Sequence, residues 1–353
     1  MNFSKAASNA LLAKCRAMFG KRLTPQNFAD LMSCRSVGEV AAYLKSNTDY
    51  ADALSSVNET EVHRGQLENA LDKQLFKKYE SLCRYELSVG ENTADYILLK
   101  TELRQLLKFL RLLSAGKPQD YIFSLPSFFA KHTKVDIMRL SQVTTYGEFL
   151  SAIELSPFYP LFKQKAPAEG EDFVYSVIDT AAHNYFYENA IKNAEKNYTG
   201  SAKKEMLDLL GTRIELNNVL TAYRLKKYFR ADTATISAMI YPYHRKIKAA
   251  ELREMMLAEN SREILKKFYN ETYYGRNIHQ EDLENVYFDN VVRMLVYRCA
   301  RHYIRSSVNP STVIMAYLML SETEISDIVT IIESVRYLLP PSKINELIAT
   351  NDA

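Results

Sequence analysis

The sequence has few of the residues that interrupt regular structure. Its 353 residues include only 10 Gly and 10 Pro. No Pro lies between positions 26 and 117 or between 168 and 241. Sheet proteins depend on frequent turns that contain Gly or Pro, so this scarcity argues against a β fold. Leucines recur every three or four residues in several segments, as in Leu103, Leu106, Leu110 and Leu113. This spacing places them on one helix face and predicts an all-α protein.

Cysteine is also scarce. The four cysteines are Cys15, Cys34, Cys83 and Cys299, and none forms a Cys-x-x-Cys pair. Cys83 and Cys299 fall on helical apolar stripes, where a small buried thiol is the ordinary role. We therefore expect reduced thiols in a cytoplasmic setting, without structural disulfides.

Long apolar runs are missing as well. The N-terminal residues contain no apolar core of signal-peptide length, and charged residues interrupt every apolar run. None approaches the roughly 18 residues that a membrane span requires. We expect a protein without a transmembrane segment of its own.

Neither sign of charge dominates. The chain has 45 Lys and Arg against 42 Asp and Glu, a net charge of +3. Basic pairs are scattered among acidic neighbours, which is typical of solvated helix faces and argues against a nucleic-acid partner. The densest basic stretch, 244–248, could contact a phosphate or an acidic partner.

Motifs for catalysis are absent from the sequence. It has no Gly-x-x-x-x-Gly-Lys-Ser/Thr phosphate loop and no Gly-x-Ser-x-Gly, and its six histidines never stand three or four positions apart. His183 is interpreted as a hydrogen-bonded interior or interface residue. We predict no catalytic, cofactor-binding or metal-binding residues and no enzyme activity.

Three distant segments resemble one another. They are 102–111, 215–224 and 324–333, each beginning with Glu followed by Leu or Ile, and their first residues lie 113 and 109 positions apart. This spacing predicts a unit of about 110 residues used three times. We expect Glu102 and Glu215 to act as first-turn or interhelix pairing residues.

A second repeated pattern places a Tyr eleven residues after a Glu. The pairs are Glu39 with Tyr50, Glu148 with Tyr159, and Glu263 with Tyr274. We expect the three tyrosines to occupy equivalent interior positions.

The order of these segments predicts a ring of three helical lobes. The first lobe combines 1–60 with 281–353, the second is 61–170 and the third is 171–280. The alternative is an open row of helical repeats, whose terminal repeats normally have a polar outer face. Segment 325–332 is strongly apolar, so it needs a partner, and closure by both termini is the simpler interpretation.

A resemblance to a known family rests on three segments. The run 9–18 followed by Leu23 and Thr24 resembles the opening of the C-subunit family of V-type and archaeal-type rotary ATPases, whose eukaryotic member is called the d-subunit. Segment 215–224, with Lys226 and Tyr228 after it, is similar to that family's most recognisable helix. Length and threefold repetition also match, so the resemblance covers the whole chain.

The resemblance implies a funnel of three similar lobes without chemistry of its own. Family members sit on the membrane ring of proteolipid subunits and accept the foot of the central shaft, which places them peripherally at the cytoplasmic face of the membrane. The chain departs from the pattern where Arg104 and Gln105 replace the two asparagines of the second copy, and where Glu333 replaces Arg. A helical-repeat adaptor with an unrelated partner is the alternative function, and a helical enzyme is a third.

Overall fold

The protein is all-α, as the sequence predicts. The computed structural model describes residues 3–89, 93–124, 129–168, 171–278 and 287–350. These residues form sixteen α-helices and two short 3₁₀-helices, with no strand among them. None of the helices in these ranges is both long and apolar enough to cross a membrane.

Helices of 18 residues or more contain most of the α-helical residues. The helices are α1 (Phe3–Gly20), α2 (Pro25–Met32), α3 (Val37–Asn47), α4 (Arg64–Val89), α5 (Thr93–Ser114), α6 (Ile137–Leu140), α7 (Tyr146–Ala152), α8 (Tyr159–Gln164), α9 (Tyr175–Asn197), α10 (Gly200–Phe229), α11 (Thr233–Ala238), α12 (Ala249–Leu257), α13 (Ser261–Glu271), α14 (Phe288–Ser306), α15 (Pro310–Arg336) and α16 (Pro341–Asn345). The first of the long helices, α1, packs against α4 and α15. The three repeated segments lie on α5, α10 and α15.

The repeated glutamates of the second pattern are N-terminal capping residues. The pairs of cap residue and Glu are Ser36 with Glu39, Thr145 with Glu148 and Asn260 with Glu263, at the starts of α3, α7 and α13, and the second pair is a complete capping box. In each, the cap side chain accepts the Glu N–H at 3.1–3.2 Å. The Glu carboxylate accepts a backbone N–H at or just before the cap. Reciprocal bonds of this kind satisfy N–H groups that a helix start leaves free.

Glu215 ties α10 to the α12–α13 pair. Its Oε1 accepts the backbone N–H groups of Lys246 at 2.8 Å and Ile247 at 3.0 Å, and also that of Arg245. Its Oε2 accepts the hydroxyl of Tyr274 at 2.8 Å. Glu215 therefore stabilises contacts between helices. It lies in the middle of α10, so the expectation of a first-turn residue is wrong and that of interhelix pairing is confirmed.

Part of the basic stretch 244–248 also makes internal contacts with α10. Besides the N–H groups that bind Glu215, its Lys246 and Arg245 side chains pair with Asp208 at 2.9 and 3.3 Å. Asp208 also accepts the hydroxyl of Tyr303 at 2.9 Å. Two of the basic side chains in this stretch, Arg245 and Lys246, are therefore paired within the protein.

Glu324 makes the corresponding contacts near the two ends of the chain. Its Oε1 accepts the hydroxyl of Tyr50 at 2.7 Å, and its Oε2 accepts the N–H of Leu23 at 2.8 Å. Arg16 donates to the carbonyl of Ile304 at 2.9 Å. Helices α1, α2 and α3 thus pack against α15. The division into three lobes stays a prediction, and its boundaries at 170, 280 and 281 lie outside the described residues.

Glu102 on α5 binds hydroxyls of different residues. It accepts Ser156 Oγ at 2.6 Å and Thr133 Oγ1 at 2.7 Å. Tyr159 is only half-buried, whereas Phe158 is fully buried. The expectation that Tyr159 is interior is therefore wrong: Phe158 takes the buried position and has no hydroxyl, and Ser156 supplies one.

The remaining expectations concern thiols. All four cysteines are free. Cys15 is buried, but Cys83 and Cys299 are only partly buried while packing against the core. The prediction that Cys83 and Cys299 contact the core is confirmed, but the prediction that they are buried is wrong.

A candidate binding cavity between the long helices

Three charged side chains that stand just before the three repeated segments meet inside the protein. Lys100, Arg213 and Glu322 each stand two positions before the repeated Glu of their helix. The Glu322 carboxylate accepts Lys100 Nζ at 2.5 Å and Arg213 Nη2 at 2.9 Å. This ion triad joins α5, α10 and α15.

The triad is enclosed by protein but remains in contact with solvent. The side chains of Arg213, Glu322 and Lys100 are 15%, 24% and 28% exposed. Burial opposes ionisation of Glu322, but the charges of Lys100 and Arg213 outweigh it and lower the pKa of its carboxyl from 4.5 to about 2. Burial and the charge of Arg213 lower the pKa of Lys100 to about 8. The three groups are therefore charged together near neutral pH.

Solvent reaches the triad through a cavity of about 690 Å³. Helices α4, α5, α9, α10 and α15 form its walls. Near the triad the lining is aromatic: Tyr96 and Phe186 lie with ring centroids 5.1 Å apart, and Tyr79 and Tyr187 stand beside them. These aromatic rings form a broad, rigid surface at the inner end of the cavity, next to the triad.

The cavity opens towards the end of the molecule where α5 finishes. On α5 the lining residues Arg104, at 55%, and Arg111 are more exposed than Lys100, at 28%, although Lys108 between them is half-buried. On α15 the lining residue Ser326 is exposed, whereas Leu318 is buried. The cavity is therefore closed near the triad and open to solvent near Arg111 and Ser326, which we call its mouth.

One wall of the cavity is basic. Lys100, Arg104, Lys108 and Arg111 follow one another on α5 at spacings of four, four and three residues, which places them on one helix face. Arg104 pairs with Asp72 of α4. Burial lowers the pKa of Lys108, although Asp72 opposes the shift.

His183 lines the cavity on α9, which packs directly against α5. Its Nδ1 lies 2.9 Å from the carbonyl oxygen of Asp179. Burial lowers the pKa of His183, but the Asp179 side chain outweighs burial, so that the pKa is raised overall. The expected hydrogen bond is confirmed, but His183 is not an interior residue, because 41% of its side chain is exposed where it lines the cavity. The alternative of an interface position stays a prediction.

The lining supports binding better than catalysis. In the described ranges no three His, Cys, Asp or Glu side chains are grouped so that they could hold a metal ion. The carboxylates of Asp72, Asp179 and Glu322 all pair with cationic side chains or with His183. The prediction of no catalytic, cofactor or metal residues stays a prediction.

Sequence reasoning missed the triad. Aligning the three repeated segments on their glutamates puts Lys100, Arg213 and Glu322 in one column. Two cations and one anion at aligned positions are complementary in charge, which favours a meeting of the three helices. That signal was present in the sequence.

The fold and the cavity define an all-helical protein with an open cavity between its long helices. The family described as ATP synthase (C/AC39) subunit matches residues 11–347. The chain belongs to this family, which confirms the resemblance seen in the sequence.

Three proteins named as the C-subunit of an A-type ATP synthase are similar to this chain. That of Methanosphaera stadtmanae is 22% identical over 347 residues, covering 95% of this chain and 86% of the relative. That of Thermococcus kodakarensis is 27% identical over 222 residues, covering 61% and 56%. That of Methanothermobacter thermautotrophicus is 20% identical over 351 residues, covering 96% and 86%.

Proposed function

We propose that the chain is a non-catalytic socket of an A/V-type rotary ATPase or ATP synthase. The cavity receives the end of the central shaft, and the opposite end of the molecule contacts the membrane ring of proteolipid subunits. Rotation then passes between the two halves of the motor during ATP-linked proton or sodium transport. This role places the chain peripherally at the cytoplasmic face of the membrane.

The cavity between α4, α5, α9, α10 and α15 carries this proposal. A helix with its side chains is about 10 Å across and rises 1.5 Å per residue, so about 690 Å³ accommodates roughly six helical residues. That volume suits the tip of a helix. The exposed basic side chains of Arg104 and Arg111 near the mouth favour a partner with acidic residues.

Torque transmission also requires that the walls keep their positions. The triad connects three wall helices in one set of ion pairs, and Glu215 and Glu324 connect two of those helices to their neighbours. Ion pairs withdrawn from water add little net stability, and in some proteins their role is to fix geometry. We interpret the triad as the feature that fixes the angle between the walls.

Cross-linking in the assembled complex tests cavity occupancy. A photoreactive residue at Ser326, exposed on the cavity wall, is expected to cross-link to a protein of the shaft. The matched control places the same residue at Ser55, which is exposed and does not line the cavity. Cross-linking from both positions alike, or from neither in a complex that retains the chain, would contradict the socket.

The adaptor alternative makes a different prediction for native membranes. A socket co-purifies with the other proteins of a rotary ATPase, whereas an adaptor brings an unrelated partner. Quantitative mass spectrometry of the purified complex distinguishes the two.

A further inference from the structure

A strip of unpaired arginines lies on α14, away from the cavity. Arg298, Arg301 and Arg305 stand at spacings of three and four residues, with His302 beside them. This spacing puts the three guanidinium groups on one helix face along about 10 Å of axis. We call these three residues the arginine strip.

The strip has no acidic counterpart among the described residues. Arg293, nearer the start of the same helix, pairs with Asp327, and Arg224 pairs with Asp289. None of the ion pairs between described residues involves a member of the strip. Most basic side chains that line the cavity have carboxylates nearby, so the strip differs from that wall.

The cations of the strip also repel one another. Burial, followed by the charge of Arg305, lowers the pKa of Arg301, and Arg22 and Arg298 act in the same direction. The Nε of Arg301 is buried without a hydrogen-bond partner. A buried donor without an acceptor is unfavourable, and so is an uncompensated cation cluster. A bound anionic group would relieve both.

Two observations favour carboxylates of a protein over a lipid surface. Helices that bind membranes insert an apolar face beside their basic face. The apolar face of α14 is already buried against α1, α10 and α15. Arginine binds carboxylates and phosphates alike in a planar bidentate geometry. The three guanidinium groups, however, have the spacing of one helix face, so a second helix with acidic residues at the same spacing would meet all three.

We propose that the arginine strip binds an acidic helical segment of a partner protein. The strip lies towards the start of α15, because Ser307 and Asn309 bind Glu205 there, whereas the cavity mouth lies further along α15, near Ser326. The proposed contact is therefore separate from the cavity. It does not depend on the socket function.

Binding of synthetic peptides to the full chain tests this proposal. The first probe is a labelled alanine-rich helical peptide with Glu at i, i+3 and i+7. The second has the same composition with its glutamates on different faces. By fluorescence anisotropy at low salt, the first peptide is expected to bind at least tenfold more tightly. The triple substitution Arg298→Gln, Arg301→Gln, Arg305→Gln is expected to abolish that difference.

A matched control removes three charges elsewhere. Arg253, Arg262 and Lys266 are exposed or partly exposed on α12 and α13, and changing all three to Gln is expected to leave the peptide preference intact. Circular dichroism verifies folding of each variant. If the strip variant unfolds, the double substitution Arg298→Gln, Arg305→Gln spares the partly buried Arg301 and is expected to lose most of the preference.

Three results would overturn the proposal. The first is equal affinity for both peptides, or no binding to either. The second is an equal loss in the control variant. The third is tighter binding to vesicles containing phosphatidylserine than to the matched peptide, with the same dependence on the strip, which would assign it to lipid headgroups.

Discussion

Glu322 is the residue on which the centre of the molecule depends. Its carboxylate faces Lys100 and Arg213, and removing it leaves two partly buried cations unpaired. Fully buried pairs lose about 3–5 kcal/mol in such cases. Because these side chains keep 15–28% exposure, Glu322→Gln is expected to destabilise the protein by about 2 kcal/mol in urea unfolding at pH 7. The exposed pair of Glu80 and Arg84 provides a control, since Glu80→Gln is expected to change little.

The same substitution has a predicted pH dependence. The carboxyl pKa of Glu322 is about 2 when folded, against 4.5 for an unperturbed group. A lowered pKa stabilises the folded state above 4.5, and this contribution is lost as pH falls towards 2. The difference in free energy of unfolding between wild type and Glu322→Gln should therefore narrow over that range. A constant difference between pH 7 and pH 3 would show that the triad is not ionised as described.

The tyrosine positions give a second test at this scale. Tyr274 is 4% exposed and Phe158 is fully buried, so replacing either by Ala is expected to cost about 3 kcal/mol. Tyr159→Ala is expected to cost clearly less, because its ring is half-buried. Equal losses at Phe158 and Tyr159 would argue against the observed register. Thermal and urea unfolding of the three variants decide this.

At the scale of elements, two long helices end on strained residues. Arg230 after α10 and Leu338 after α15 have φ of 51° and 56°, and Gly116 after α5 has φ of 69°. A non-Gly residue in this region costs roughly 1–2 kcal/mol. Gly116 after α5 is the residue type that this left-handed conformation favours.

Leu338→Gly is therefore expected to stabilise the protein by about 1 kcal/mol. The Leu338 side chain is 80% exposed, so little burial is lost. Tyr337 has φ of −90°, and Tyr337→Gly is expected to destabilise slightly, because Gly adds freedom to the unfolded chain. A loss of stability in Leu338→Gly would mean that its side chain makes a contact that outweighs the strain.

Periodicity predicted the helices well because amphipathic stripes are local. The capping interactions are also local, since Thr145 and Glu148 stand three residues apart in the sequence. The sequence pattern showed the repeated Glu but not its role in capping. The prediction that Tyr159 is buried was wrong because the second copy of the pattern is one residue shorter: its buried ring is Phe158, ten residues after Glu148. The meeting of Lys100 with Glu322 could not be read from periodicity, because helical spacing does not say which helices face one another.

At the scale of the whole molecule, segments near the two ends of the chain are in contact. Tyr50 and Leu23 bind Glu324, and Arg16 binds the carbonyl of Ile304. A circular permutant with joined ends, opened at Gly170, is therefore expected to fold. Gly170 lies outside the described residues.

Comparing the far-ultraviolet circular dichroism and melting of permutant and wild type tests this expectation. The control opens the chain inside α10, between Leu216 and Asn217, and should not fold. Failure of the Gly170 permutant to reach native helicity would favour an open row of repeats.

Coupling of ATP hydrolysis to ion transport tests the central claim most directly. Both activities are measured in the same reconstituted vesicles, with complexes that contain or lack this chain. The socket predicts that complexes without the chain keep ATP hydrolysis and lose ATP-driven ion transport, and that adding the purified chain restores transport. Undiminished transport in its absence would contradict the proposed function.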